Sequence, residues 1–399
     1  MEFLDKILGK LSTYQKRYRY YILIVVLVLM TFSFIGLTNI EFQGDFSEEM
    51  PQDLPVFELN NRITEKFGGQ DTIFILLRLR DDLVARPLYD DIREPQIMRY
   101  VSDLEKYLQE ENDIERVVSI APIVDMIEQT NPPLTKEKLM NFLDGSDASN
   151  SFFNRRNDMM IMIVNADVGS GQERIRSLTS LIENKIEAMS TPPGVEVIVT
   201  GSPSIITTVL DLLRRDSVYT LAIASLIIFG LLLLTLQSAR KSFLVFMPLI
   251  IALTFTLGTM GWIELNISVA TAGLGAMVLG LGVEYGVFVL SRYREERNKG
   301  NSQDDALRKT VSGIGSAVIG SGTTTIVGFL ALTLSIMPLL QNLGLSLALG
   351  IFFSIISTVF IFPSLLIIEE DFNYWYVDYS LKKFKRLSKK NKVMQKWIK

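Results

Sequence analysis

The sequence predicts an α-helical integral membrane protein that also carries a large aqueous α+β domain. Three observations lead there. Hydrophobic residues make up 48% of the chain and the mean hydropathy is +0.27, too apolar for an ordinary soluble domain. Apolar runs long enough to cross a bilayer, which takes about 20 residues, occur once near the start and then in close succession after residue 216. Between them lies a polar stretch in which strand and helix periodicities alternate. The formal net charge of −4 gives no reason to expect nucleic acid as a partner. With no cysteine, disulfides and thiolate metal sites are excluded. With no histidine, proton chemistry near neutral pH must fall to a shifted carboxylate, Tyr or Lys.

Residues 1–19 contain Lys6, Lys10, Lys16, Arg17 and Arg19, and an apolar run follows from Tyr20 to Leu37. A basic flank before a hydrophobic segment also describes a signal peptide. This run is long, however, and continues as TNIEFQGDF with no small-residue cleavage site. It is read as an uncleaved first span over 20–38, with a cytoplasmic N-terminus by the positive-inside rule. Residues 39–215 are expected outside the cell membrane. Strands are predicted at Asp71–Arg80, Arg116–Ile120, Asp158–Val168 and Gly194–Thr200, and amphipathic helices at Pro95–Glu110 and Gln172–Ala188. The order β-α-β-β-α-β is the split βαβ pattern of a ferredoxin-like fold. Residues 121–157, with Pro132-Pro133, are expected to form a helical insertion and a mobile loop, and Gly68-Gly69 a turn. Ser204–Arg215 reads as a helix feeding into the membrane.

A five-helix membrane domain over 216–368 is predicted, with spans at Val218–Leu236, Phe243–Ile263, Ile267–Ser291, Val311–Met337 and Leu340–Ile368. The loops assign one orientation. Arg240-Lys241 and the basic residues of 292–310 belong inside; the Lys- and Arg-poor turns at Trp262–Asn266 and Met337-Pro338 belong outside. The last segment, 369–399, is a basic cytoplasmic tail. From Lys382 onward it either rests on anionic lipid head groups or is simply solvated.

Within the fourth span, Glu284 and Tyr285 stand in an otherwise apolar, glycine-rich run, GLGVEYGVFVLSRYREER. An ionisable residue at membrane depth is costly, and its default reading is a proton or ion site facing protein or water. The alternative is a Glu near the helix end that snorkels out. Gly280, Gly282 and Gly286 on this span and Gly320 on the next are expected to let helices approach closely. Glu284 lies seven residues before the predicted end of its helix, roughly 10 Å at 1.5 Å per residue. The same depth on the fifth span holds Ser316 to Ser321, with Thr323 and Thr324 just beyond. These hydroxyls would hydrogen-bond a carboxyl group in either protonation state, and burial would raise its pKa. One charge crossing 100 mV supplies about 2.3 kcal/mol, enough to bias two helix arrangements about fifty-fold.

At these residues the sequence resembles the MMPL-type branch of the resistance–nodulation–division (RND) superfamily. That family carries G-x-x-x-D-Y in its fourth helix, followed by S-R-Y-R-E; here the stretch runs from Gly280 through Glu284 and Tyr285 to Glu295. The likeness continues through GSGTTTIVGFLAL, LGLSLALGI and Pro363, and outside the membrane through FGGQDTIFILL and IERVVSI. It implies six spans in a one-plus-five arrangement and an outer porter domain that takes hydrophobic or amphiphilic, lipid-like cargo. It implies a proton-coupled role for Glu284 with Tyr285 as its hydrogen-bonding partner. The outer domain shows no nucleophile elbow, metal-ligand cluster or phosphate loop, so neither cofactor, metal nor enzymatic activity is expected. Glu replaces the family's usual Asp. Most members also fuse two six-helix sets, so a second set is expected from another copy, in a homodimer or a homotrimer. A protein-export auxiliary resembling SecD/SecF shares the helix layout, and a non-transporting sensor built like a sterol-sensing domain is a further alternative.

Overall fold

The computed structural model describes residues 2–44, 49–51, 53–67, 71–80, 89–130, 132–145, 149–166 and 172–390. The expected turn at Gly68-Gly69, the last residues of the third predicted strand and the final part of the basic tail lie outside these. In chain order the elements are α1 (Glu2–Arg17), α2 (Arg19–Leu37), α3 (Pro55–Phe67), β1 (Asp71–Leu79), α4 (Pro95–Gln109), β2 (Ile114–Val118), α5 (Ala121–Thr130), α6 (Lys136–Asp144), α7 (Ser149–Phe152), β3 (Met159–Ala166), α8 (Gln172–Ala188) and β4 (Val195–Gly201). Then follow α9 (Ser202–Leu236), α10 (Ala239–Trp262), α11 (Leu274–Asn298), α12 (Gln303–Leu330), α13 (Pro338–Ile356) and α14 (Phe362–Lys390). Among the described residues, six segments are long and apolar enough to cross a membrane. The chain divides into two compact units, Met1–Met50 with Leu213–Lys399, and Pro51–Leu212.

The second unit is built on a four-stranded antiparallel sheet in the order β2-β3-β1-β4. Alternation dictates its inner face: Ile73, Ile75 and Leu77 on β1, and Met160, Met162 and Val164 on β3, are all buried. Apolar stripes at helical spacing cover that face, Ile97, Val101, Leu104 and Leu108 from α4 and Ile175, Leu178, Ile182 and Ile186 from α8. Gly201 ends β4 with φ +120°, where a Cβ would fall 2.4 Å from the Thr72 carbonyl oxygen, so only glycine fits. The stretch expected to hold a mobile loop contains α6 and α7, with Leu139 and Leu143 in the core. Arg93 ties this region down by ion pairs to Asp91 (2.6 Å) and Asp144 (2.5 Å).

The expected helices at Ser204–Arg215 and Val218–Leu236 are one continuous α9, since neither Gly nor Pro interrupts residues 204–229. The fourth span starts later than expected, at Leu274 instead of Ile267. Residues 41–43 are the cause. The Ile267 amide donates to the Glu41 carbonyl (2.9 Å) and the Gln43 amide to the Ile267 carbonyl (2.8 Å), which holds Ile267 extended. Residues 39–50, expected in the outer domain, accordingly cluster with the helices. Packing of α2 on α10 rests on small residues: a Cβ on Gly36 would sit 2.1 Å from the Gly258 oxygen, and one on Gly258 would sit 2.5 Å from Ser33. Trp262 stacks on Phe32 at the same end, with ring centroids 4.6 Å apart.

The predicted last span is not one regular helix. Ser357–Ile361 forms a π-helical turn between α13 and α14, and Pro363 follows it. Proline has no N–H to give the carbonyl four residues back, which is that of Val359. Gln15 supplies the missing donor: its Nε2 reaches Val359 O at 2.8 Å and Phe360 O at 3.2 Å. Gln15 is fully buried and lies on α1, a helix that the reading of residues 1–19 as a basic flank passed over. Ser357 Oγ donates to the Pro248 carbonyl (2.7 Å), so the π turn also meets the proline of α10.

Two expected outcomes follow from these contacts. Gln15→Leu strands the buried Val359 carbonyl and should cost on the order of 1–3 kcal/mol, read as a lower midpoint of thermal unfolding in detergent. In the second unit, burial raises the pKa of Glu105, against the Ser119 hydroxyl that donates to it; Asp125 adds to the rise and Lys106 opposes it. The folded state then holds a proton at pH values where the unfolded chain has released it. The stabilisation is complete below the unfolded pKa and is lost as pH rises through the folded one. Glu105→Gln should therefore raise the unfolding midpoint more at neutral pH than in mild acid.

Candidate functional site

The site is the stretch of α11 around Glu284, with α12 beside it. Residues along a helix turn by 100° each, so Glu284 and Tyr285 point in different directions. Tyr285 is 3% exposed and packs into the core of the bundle. Its hydroxyl lies against α12, 3.6 Å from where a Cβ on Gly322 would be and next to the Thr325 hydroxyl. Glu284 lies on the outer surface of the bundle, in an exposed stripe with Met277, Gly280, Phe288 and Ser291. It makes no hydrogen bond or ion pair among the described residues. Burial by helices of its own chain, and pairing with hydroxyls at the level of Ser316 to Ser321, are therefore not found. With Tyr285 turned inward, its hydroxyl is also not offered to a carboxyl outside the chain.

The expected relay hydroxyls satisfy themselves locally. Ser316 Oγ donates to the Gly313 carbonyl (3.0 Å), Thr323 Oγ1 to Ile319 (2.6 Å) and Thr324 Oγ1 to Ser321 (2.7 Å). The side chains of Ser321, Thr323 and Thr324 are exposed, like that of Glu284, and Ser316 is half-buried. The glycines separate into two groups. Gly282 packs against Leu249 of α10 and Ser354 of α13, and Gly286 against Val245 of α10, so their seam faces α10 and α13 and not α12. Gly280 and Gly320 face open space, as do Gly313 and Gly328. The chain itself thus gives no packing reason for four glycines on α11 and α12.

The charged end of α11 has a structural task. Tyr293 donates to Glu370 of α14, and Arg297 Nε donates to the same carboxylate at 3.0 Å. Glu296, 2% exposed, takes ion pairs from Arg292 (3.0 Å), Lys299 (3.1 Å) and Lys309 (3.6 Å) and a hydrogen bond from Asn301 (2.8 Å). The residues after the acid–tyrosine pair thus clamp α11 to α14 and to the start of α12. No group of three or more acids that could hold a metal is found among the described residues.

The chain matches the MMPL family over residues 93–397. The putative membrane protein MJ1562 of Methanocaldococcus jannaschii is 31% identical over 373 residues, covering 92% of this chain and 95% of that one. The siderophore exporter MmpL5 of Mycobacterium tuberculosis is 24% identical over 51% of this chain, a match that spans 22% of the exporter. In fold, the chain is similar to the hedgehog release protein Disp of the water bear Hypsibius dujardini, with a TM-score of 0.68 and 12% identity; the likeness covers 91% of this chain and 49% of Disp. The chain therefore spans nearly all of its archaeal relative but about a fifth of the exporter and half of Disp. The family match over most of its length, together with six apolar helices long enough to cross a membrane among the described residues, places this chain in the MMPL family of multi-pass membrane proteins.

Proposed function

We propose that this protein is a proton-motive-force-driven transporter of hydrophobic or amphiphilic, lipid-like molecules, that Glu284 carries the proton, and that it works as a homodimer in the cytoplasmic membrane. One observation carries the reading: an ionisable side chain stands on the outer face of an apolar helix, about one turn from Gly280, which has nothing against it. A carboxylate left facing acyl chains costs about 2.5–3.5 kcal/mol on insertion scales, and more by other measures. Covering the face with protein, and loading the carboxyl with a proton, both remove that cost. A second copy applied to the same α11–α12 face would make an isologous interface. It would bring the small exposed residues of α12 to Glu284 and double the helix set, in keeping with the half-length match to Disp. Each change of protonation then alters the cost of the interface and favours one helix arrangement over another. Tyr285, wedged between α11 and α12, is placed to transmit that change.

In this reading the second unit is a ferredoxin-like porter domain outside the membrane, its sheet order β2-β3-β1-β4 being the order of a split βαβ fold. The termini, Arg240-Lys241 and the basic loop after α11 lie in the cytoplasm. An amphiphilic cargo agrees with the siderophore exporter among the relatives.

The test uses proteoliposomes holding the full chain, an imposed pH gradient and a fluorescent phospholipid analogue. Wild type should move the analogue when the gradient is present. Glu284→Gln should fall to the protein-free background while keeping the oligomer size of wild type, and Tyr285→Phe should retain part of the rate. A gradient-driven rate in Glu284→Gln equal to wild type contradicts the reading.

A further inference from the structure

The first unit contains a charged cavity that the transport reading does not use. Helix α1 ends at Arg17, α2 begins at Arg19 and α12 begins at Gln303, and these three ends border a cavity of about 630 Å³. Small-molecule sites span roughly 300–1,000 Å³. Among the described residues four cations line it, Lys16, Arg17, Arg19 and Arg308, against two acids, Asp304 and Asp305. Lys16 pairs with Asp304, and Arg308 with Asp305 at 3.6 Å. Arg19 pairs with Asp371, which is not part of the lining, at 2.7 Å. Arg17 is in no ion pair among the described residues; its guanidinium lies 5.5 Å from the centre of the Tyr18 ring. One positive charge at the cavity is thus left without a counter-charge, and it is exposed.

The position of the cavity says what meets it. Both α2 and α12 are long and apolar enough to cross a membrane, so the cavity lies where two spans reach the edge of the hydrocarbon. Tyr14, Tyr18, Tyr20 and Tyr21 stand exposed around the junction of α1 and α2. Tyr14 stacks on Tyr18, with ring centroids 6.4 Å apart, and Tyr18 meets Tyr21 edge-on at 6.2 Å. Exposed tyrosines of this kind gather at the head-group level of a bilayer. Tyr20 itself lines the cavity, with the Arg19 guanidinium 5.1 Å from its ring centre.

We propose that the cavity between α1, α2 and α12 binds the head group of an anionic phospholipid, with its phosphodiester on Arg17 and Arg308. A guanidinium presents its N–H donors in a planar fork that matches phosphate oxygens. A phosphodiester carries a single negative charge, which matches the one uncompensated cation; a phosphate dianion would meet Asp304 and Asp305 with charge to spare. Those two carboxylates suit a head group that carries hydroxyl donors, as the glycerol of phosphatidylglycerol does. A bound head group ties the ends of three helices together and stabilises the bundle. The site rests on the helices crossing a membrane and is independent of Glu284, of proton transport and of a second copy.

The test uses the full chain in detergent, as wild type, as Arg17→Gln and as Arg17→Gln with Arg308→Gln. A control, Arg214→Gln with Arg215→Gln, removes two exposed charges from α9 instead. Native mass spectrometry counts bound phosphatidylglycerol, and each protein's unfolding midpoint is compared with and without added phosphatidylglycerol, diacylglycerol or inorganic phosphate. Wild type and the control should retain one phosphatidylglycerol and unfold at a higher midpoint with it. Arg17→Gln, which breaks no ion pair, should bind it about tenfold more weakly. The double variant should show neither the bound lipid nor the rise. Diacylglycerol, which has the chains without the phosphate, should leave every midpoint unchanged, and so should inorganic phosphate. Binding in the double variant equal to wild type overturns the proposal, as does a rise with diacylglycerol equal to that with phosphatidylglycerol. An equal rise with inorganic phosphate that Arg17→Gln abolishes would make the site one for soluble phosphate and overturn the lipid assignment.

Discussion

Hydrocarbon offers no water to complete the hydrogen bonds of a polar group, so each polar group at membrane depth must find its partner in protein or shed its charge. The first unit is arranged around that constraint. Pro363 and the π turn before it leave carbonyl oxygens open, and the fully buried Gln15 on α1 closes them. The hydroxyls of α12 bond back to their own helix. Glu296 and Glu370 gather the arginines, lysines and tyrosine at the charged end of α11. Beside these pairings, Glu284 stands on an exposed stripe of α11 with no hydrogen bond or ion pair among the described residues.

That exception gives the α11–α12 face its meaning. Glycines inside the bundle earn a close approach: Gly282, Gly286 and Gly322 each touch a neighbouring helix. Gly280, Gly313, Gly320 and Gly328 touch nothing, although glycine in a helix interior is less stable than alanine by roughly 1 kcal/mol. A helix face that combines such glycines, exposed hydroxyls and a carboxyl group is poorly suited to lipid and well suited to another helix. The family match favours the transporter reading over an export auxiliary or a sensor.

Much of this was legible in the residues. Long apolar runs announce themselves by composition, and the strands of the second unit by period-two alternation, as in Met160, Met162 and Val164. The acid–tyrosine pair stood out because charge is rare in such runs. What stayed hidden depends on contacts between residues far apart in the chain. Gln15 and Val359 are 344 positions apart. Pairing of residues 41–43 with Ile267 delayed the start of α11, and no local propensity signals it. The direction of Glu284 was equally out of reach, since it depends on which face of α11 the neighbouring helices take. A single glycine-rich helix does not reveal that Gly282 and Gly286 serve α10 and α13.

The claim beneath the functional reading is that protein, not lipid, covers Glu284. Crosslinking in the native membrane measures this directly, because the chain has no cysteine of its own. Ala317→Cys sits on the exposed face of α12, whereas Leu226→Cys sits on a different helix, α9, and is 76% exposed. A short bifunctional thiol reagent should link copies carrying Ala317→Cys into a dimer and leave those carrying Leu226→Cys monomeric. Monomers at both positions would leave Glu284 against acyl chains and contradict the dimer and the proton-carrying role together.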